Sequence, residues 1–286
     1  MKPLNYCRHL HSQYTALQNK PMPDRAVELM ARAKEVVNRS VKFILPPNGT
    51  LLEDNQLKAL GDDRLNLPYP VIALEFASEQ SVHIEGSSQE SSKHIIFAVD
   101  VPGEDWILIL VCDYLNADDL WATAGYFGIP IMNYVDRTKG GGGLPLVAMA
   151  DLSGQLDQSP TEIHATYVDD VWRLLSFLNA LACSNVRSAA LPGPKPIPGR
   201  QTKKKPRAGD VYHVLVVDVA ASAKSDGCMT SGDVAGDRHS PREHLRRGHI
   251  RRLQNGGRIW LNAAVINGKQ GFGKVDKDYQ LRPVKN

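Results

Sequence analysis

The sequence predicts an α+β fold: a mostly antiparallel sheet packed by a long helix, with a basic C-terminal β-hairpin module. Three observations carry that prediction. Apolar, β-branched runs recur between residues 71 and 131 with polar turns between them, the pattern of consecutive strands. Residues 161–184 place Val168, Val171, Trp172, Leu175, Phe177, Leu178 and Leu181 on one broad apolar helical face. Asn255-Gly256, set between two strand-like runs, is the strongest short-range hairpin signal a sequence offers.

The first 22 residues are of mixed polarity and read as an arm or a short helix. Pro23-Asp24 then opens a helical run to about residue 39. Within it Val27, Met30, Ala31, Lys34 and Val37 recur at helical spacing as an amphipathic stripe. Residues 41–45 are short, apolar and β-branched, and Pro46-Pro47-Asn48-Gly49 stops them. Residues 51–61 suggest a second short helix.

Strands are expected over 71–76, 94–99, 106–114 and 121–131. The third is almost wholly apolar and therefore central in the sheet. The Ser- and Glu-rich connection at 81–93 reads as a hairpin loop. Gly140-Gly141-Gly142-Gly143 lacks the Gly-Lys-Ser/Thr ending of a phosphate-binding loop and reads as a turn. In the long helix, Asp169 and Asp170 are acidic residues of the kind that favour a helix start. A further buried strand is expected at 212–219, after which residues 220–237 are small, polar and Gly-rich, and a last strand at 275–281.

Composition narrows the function classes. With 42% hydrophobic and 23% charged residues the chain is globular. No apolar run approaches the roughly 18 residues of a membrane-spanning helix. The N-terminus lacks the pattern of a secretory signal, so no membrane association and a cytoplasmic location are expected. Cys7, Cys112, Cys183 and Cys228 are not paired at metal or redox spacing. Cys112 and Cys183 lie in apolar segments as core thiols.

Charge is unevenly spread. Residues 1–184 hold 14 Lys+Arg against 23 Asp+Glu, a net of −9, while residues 185–286 hold 20 against 8, a net of +12. An acidic α+β body is therefore expected over 1–190 and a basic β module over 211–286. Between them lies a Pro/Lys-rich linker or loop at 191–210, where alternating prolines precede Lys203, Lys204 and Lys205. The basic third implies a polyanionic partner, or else pairing with the acidic body.

Residues 239–262 concentrate the chemistry, with three of the nine histidines and six arginines. A two-residue turn centred on Asn255-Gly256 sets Arg251 opposite Trp260 and Ile250 opposite Leu261. Alternation then gives one apolar face, and one face carrying His249, Arg251, Arg258, Trp260 and Asn262. A flat cationic surface with one aromatic ring suits single-stranded RNA or DNA, the ring stacking on bases and the arginines taking phosphates. Arg246, Arg247 and Lys203–Lys205 extend that nucleic-acid-binding set.

The spacing of His239, His244 and His249 puts them on no common helix or strand face, so no metal site is expected. No cofactor motif is present. His244 and His249 beside Arg246 and Arg247 match the acid, base and anion-binding parts of a metal-independent ribonuclease, and are the catalytic candidates if the chain is an enzyme.

The run Pro241-Arg242-Glu243-His244-Leu245-Arg246-Arg247-Gly248-His249-Ile250-Arg251-Arg252-Leu253, then Trp260, then Lys277-Asp278-Tyr279, resembles the C-termini of uncharacterised proteins of tailed bacteriophages and prophages. Leu67-Pro68-Tyr69-Pro70 followed by a strand ending in Glu75-Phe76 is similar to the same group. The resemblance implies a phage-derived accessory protein working in the bacterial host cytoplasm. It carries no activity over, and the residues leave three functions open: a nucleic-acid binder, a non-enzymatic inhibitor or adaptor docking on a host protein, and a small ribonuclease.

Overall fold

The sheet grows from a four-strand antiparallel meander. Its strands are β2 (Val71–His83), β3 (Glu90–Asp100), β4 (Trp106–Leu115) and β5 (Leu120–Pro130). They pair in sequence order, with Phe76 opposite His94 and His94 opposite Asp113. The structure, a computed structural model, describes residues 3–52, 64–83, 90–132, 135–136, 146–147, 160–191, 211–218, 244–246, 249–261, 264–266 and 282–283. The expected short helix at 51–61, the glycine run at 140–143, the segments at 192–210 and 219–243 and the expected strand at 275–281 therefore fall largely or wholly outside the described residues.

β2 and β3 run several residues further than expected, which shortens the connection between them. Two further strands extend the meander. β1 (Val41–Ile44) pairs parallel to β2 on one side and parallel to β9 (Tyr212–Val217) on the other. The sheet is thus mixed, though mostly antiparallel. β8 (Val186–Ala190) also pairs with β9, and β6 (Val135–Asp136) forms a separate antiparallel pair with β7 (Leu146–Val147).

By its internal contacts the chain divides into two units. One comprises Met1–Leu178 and Ala189–Val214, the other Asn179–Ser188 and Leu215–Asn286. The chain crosses between them three times, where composition suggested one crossing at 191–210.

In the first unit helices cover both sheet faces. On one face lie α1 (Tyr6–Leu17) and α2 (Asp24–Arg39). Cys7, Leu10 and Tyr14 of α1 and Met30, Ala33 and Val37 of α2 are buried with Ala73, Ile95, Phe97, Leu110, Cys112 and Trp121 of the strands. The α2 stripe is narrower than expected: Val27 is 41% exposed, because the buried line runs through Ala33 instead.

On the other face lies α3 (Pro160–Leu181), with Tyr167, Val171, Trp172, Leu174, Leu175, Phe177 and Leu178 buried. Phe177 meets Phe43 edge-on at 4.8 Å between centroids, and Tyr167 stacks on Phe127 at 5.1 Å. Such pairs add about 0.5–1.5 kcal/mol each beyond area burial. Cys7, Cys112 and Cys183 are buried free thiols. Burial pushes all three thiols up, Cys183 to about 12, so they stay protonated and unreactive.

One buried carboxylate ties three elements together. Glu75 of β2 is fully buried and accepts from Tyr6 N at 3.0 Å, Cys7 N at 2.8 Å and Tyr212 Oη at 3.0 Å. Those two amides are orphan donors of the α1 N-terminus, so a remote carboxylate caps the helix. Asn5, immediately before α1, has a left-handed backbone and makes no side-chain cap, leaving the role to Glu75.

The second unit contains β11 (His249–Arg252) paired with β12 (Arg258–Leu261), and β10 (His244–Arg246) paired with β13 (Ala264–Ile266). In the same unit β14 (Arg282–Pro283) pairs parallel to the end of β9, Arg282 opposite Val216.

Candidate functional site

The hairpin β11–β12 exists, but its register is one residue away from the expected one. The pairs are His249 with Leu261, Ile250 with Trp260, Arg251 with Ile259 and Arg252 with Arg258. The cause lies in the turn. A type I′ turn needs positive φ at both Asn255 and Gly256. Gly256 alone has it, at +80°, while Asn255 is not among the positive-φ residues. Gly256 N donates to Leu253 O at 3.0 Å and Leu253 N to Gly257 O at 2.7 Å, so the loop closes one residue longer. The Asn255 side chain accepts from Gly257 N at 3.0 Å. No heavy atom lies within 4 Å of a Cβ built on Gly256. Gly256→Ala should therefore cost only its backbone strain, about 1 kcal/mol, read as a shifted denaturation midpoint.

A one-residue shift redistributes the side chains. Directly opposed residues share a face, so Trp260 lies with Ile250, Arg252 and Arg258, while Arg251 lies with His249, Ile259 and Leu261. The expected face of His249, Arg251, Arg258 and Trp260 is split, and the Arg251–Trp260 cation–π pair is ruled out by this register.

Trp260 is only 2% exposed. Its backbone is clamped by the Asn185 side chain: Trp260 N donates to Asn185 Oδ1 at 2.7 Å, and Asn185 Nδ2 donates to Trp260 O at 2.8 Å. Arg258 is held in the same way. Its Nη1 donates to Asn179 Oδ1 at 2.7 Å, and its carbonyl accepts from Ser184 N at 2.9 Å and Ser184 Oγ at 3.2 Å. The turn after α3 thus binds β12 as an extra strand would. Trp260 and Arg258 serve the packing of this unit.

Arg251 and Arg252, on opposite faces of β11 next to the turn, are both exposed. With Leu253, Gln254 and Asn255 they line a surface pocket of about 350 Å³. His244 and His249 stand in different two-stranded ladders. Arg246 is placed in β10 by its backbone; Arg247, Lys203, Lys204 and Lys205 lie outside the described residues. Among the described residues no group of three or more His, Cys, Asp or Glu is arranged to hold a metal ion.

A second constellation lies in the first unit, and sequence reading missed it. Ser78 Oγ is 2.8 Å from His94 Nε2, and His94 Nδ1 is 2.6 Å from Asp113 Oδ1. The three residues come from adjacent strands β2, β3 and β4. The His94 and Asp113 side chains are 11% and 13% exposed. Phe76 stacks on the His94 ring at 5.0 Å and 17°, fixing its plane. The Arg173 guanidinium carbon of α3 lies 5.2 Å from the centre of the same Phe76 ring, and Arg173 Nη1 pairs with Asp170 Oδ1 at 2.9 Å.

Asp170 is not a helix-start residue. It sits in the third turn of α3, beyond the reach of the N-terminal dipole, and faces this polar cluster. Burial pushes its carboxyl up to about 6; Asp113 adds to the rise, and Arg173 and His94 oppose it. The folded state therefore holds more protons than the unfolded state between the ordinary aspartate range and pH 6. Stability from this group is fully present below the unfolded pKa and is lost as pH rises through about 6. Denaturation midpoints should fall between about pH 4 and 6 in the wild type, and that fall should flatten in Asp170→Asn.

The only sequence trace of this cluster was polarity at inward strand positions, His94 beside Ile95 and Asp113 after the apolar run 107–112.

No family model matches the chain, and no curated protein matches it. Among solved structures it is similar to one titled "Crystal structure of AcrVA2", at a TM-score of 0.41 and 14% identity, over 91% of this chain and 86% of that one.

Proposed function

We propose that the basic C-terminal unit is a docking module that carries this chain onto an acidic surface of a bacterial host protein, as an inhibitor or adaptor of the phage or prophage kind. The observation that carries this reading is the contrast along the hairpin: Trp260 is buried, while Arg251 and Arg252, one on each face of β11 beside the turn, are exposed. Base stacking needs an exposed ring, so single-stranded nucleic acid loses its main support. Guanidinium groups are matched by carboxylates in fork geometry. The second unit, Asn179–Ser188 with Leu215–Asn286, holds 14 Lys+Arg against 7 Asp+Glu, and this net charge of +7 draws such a partner in by long-range steering. The resemblance of residues 241–253 to phage proteins supports a host target.

The same charge also suits a phosphate backbone, which is the second reading. One experiment separates the two. Tagged chain is mixed with host lysate with and without nuclease, and the double variant Arg251→Glu/Arg252→Glu is run alongside. Docking on a protein predicts a stoichiometric partner that survives nuclease and falls by on the order of tenfold or more in the variant, mostly through slower association. The variant should keep its denaturation midpoint, because both side chains are exposed. Loss of all captured material on nuclease treatment favours the phosphate reading instead.

A further inference from the structure

We propose that Ser78, His94 and Asp113 form a nucleophilic site for acyl transfer to water, with a carboxylic ester as the substrate class. Two independent observations meet there. The first is the order of the hydrogen bonds. Ser78 Oγ meets Nε2 of the imidazole and Asp113 meets Nδ1, at 2.8 and 2.6 Å. That order lets the ring take a proton from the hydroxyl while the carboxylate holds the tautomer and steadies the imidazolium that forms. A histidine needing only to be satisfied would accept any partner at either nitrogen.

The second observation is backbone irregularity. The β2–β3 pairing breaks between Ala77 and Val82, directly at Ser78. The β3–β4 pairing breaks between Ser91 and His94. The β4–β5 pairing breaks between Val111 and Cys112, next to Asp113. Three successive ladders are thus disturbed at the three residues that meet. Bulges re-aim side chains and concentrate beside active sites. Here they bring Ser78, displaced along β2 from the Phe76–His94 pair, onto the histidine.

The chemistry balances within the site and solvent. Ser78 Oγ attacks the ester carbonyl carbon as its proton passes to His94 Nε2. The tetrahedral adduct collapses, the C–O bond to the alcohol breaks, and His94 returns the proton to the leaving alkoxide. Water then attacks the acyl-serine, giving its proton to His94, and the carboxylic acid leaves as Ser78 is reprotonated. Arg173, which shares the Phe76 ring with His94, is the cation offered for the developing oxyanion. Ser78 is half-buried, which leaves the hydroxyl in reach of solvent while the His94–Asp113 bond is shielded.

The test uses the full chain and a fluorophosphonate probe, which phosphonylates a serine only when its oxygen is activated. The expected result is one adduct per chain, mapped to Ser78 by peptide mass, absent from Ser78→Ala. Its rate should fall by about a hundredfold or more in Asp113→Asn, which keeps the shape and mis-sets the tautomer. Wild-type chain that stays unmodified after prolonged exposure overturns the proposal. So does an adduct elsewhere, or an Asp113→Asn rate equal to wild type, because a merely structural hydrogen-bond chain would not govern the labelling rate. If Ser78→Ala fails to fold, the mapped wild-type adduct and the Asp113→Asn rate decide alone.

Discussion

Glu75→Leu is expected to destabilise the first unit by about 3–5 kcal/mol, because two buried donors and one half-buried donor lose their acceptor at once. Tyr6 N, Cys7 N and Tyr212 Oη all point at that carboxylate, and Glu75 itself is fully buried. The loss should be local first. Amides of α1 should exchange faster than those of β3 and β4, since the helix loses its cap while the meander keeps its ladders. Glu75→Gln, which retains one acceptor oxygen, should cost less than the leucine variant. Burial pushes the Glu75 carboxyl up despite those hydrogen bonds. Its contribution is therefore largest when protonated and declines as pH rises through the folded pKa, the same sign as for Asp170. Urea denaturation of wild type, Glu75→Gln and Glu75→Leu, with hydrogen exchange on each, checks both the size and the order of the losses.

Trp260→Ala should cost about 3–5 kcal/mol, the range for deleting a large buried ring. That outcome separates a packing residue from a binding one, since an exposed stacking ring would be lost with little change in stability. Asn185→Ala should reproduce part of the effect without touching the ring. It removes both hydrogen bonds to the Trp260 backbone and leaves a buried N–H and C=O unpaired, for about 2–3 kcal/mol. Trp260→Phe should fall between alanine and wild type. Each is read as a denaturation midpoint of the full chain, with hydrogen exchange at β11 and β12 locating the loss.

How much of this was legible in the sequence depends on whether a feature is local. The four strands of the meander were visible because each is a continuous apolar run with turn residues at its ends, and neighbours in sequence are neighbours in the sheet. α3 was visible because its apolar face repeats over many turns. The parallel insertion of β1 between β2 and β9 was not, since Val41–Ile44 and Tyr212–Val217 carry no mark of which strand they join. The hairpin was seen, but its register turned on the sign of one φ angle at Asn255, and Asn tolerates both signs. That single uncertainty moved Trp260 off the expected cationic face. Glu75 and the Ser78–His94–Asp113 chain were hidden for a different reason. Their partners lie far along the chain, 16 and 19 residues apart within the triad and more than 60 for Glu75. No periodicity reports such a meeting.

Whether the exposed Arg251 and Arg252 beside the turn are the working surface of the C-terminal unit has one direct test. A photoreactive residue placed at Gln254, between the exposed arginines and the turn, is activated in host cells, and the adducts are analysed by mass. The account predicts a discrete protein adduct that resists nuclease, maps to an acidic stretch of the partner and disappears in Arg251→Glu/Arg252→Glu. Adducts composed of RNA or DNA, or a protein adduct unchanged by the charge reversal, would contradict it.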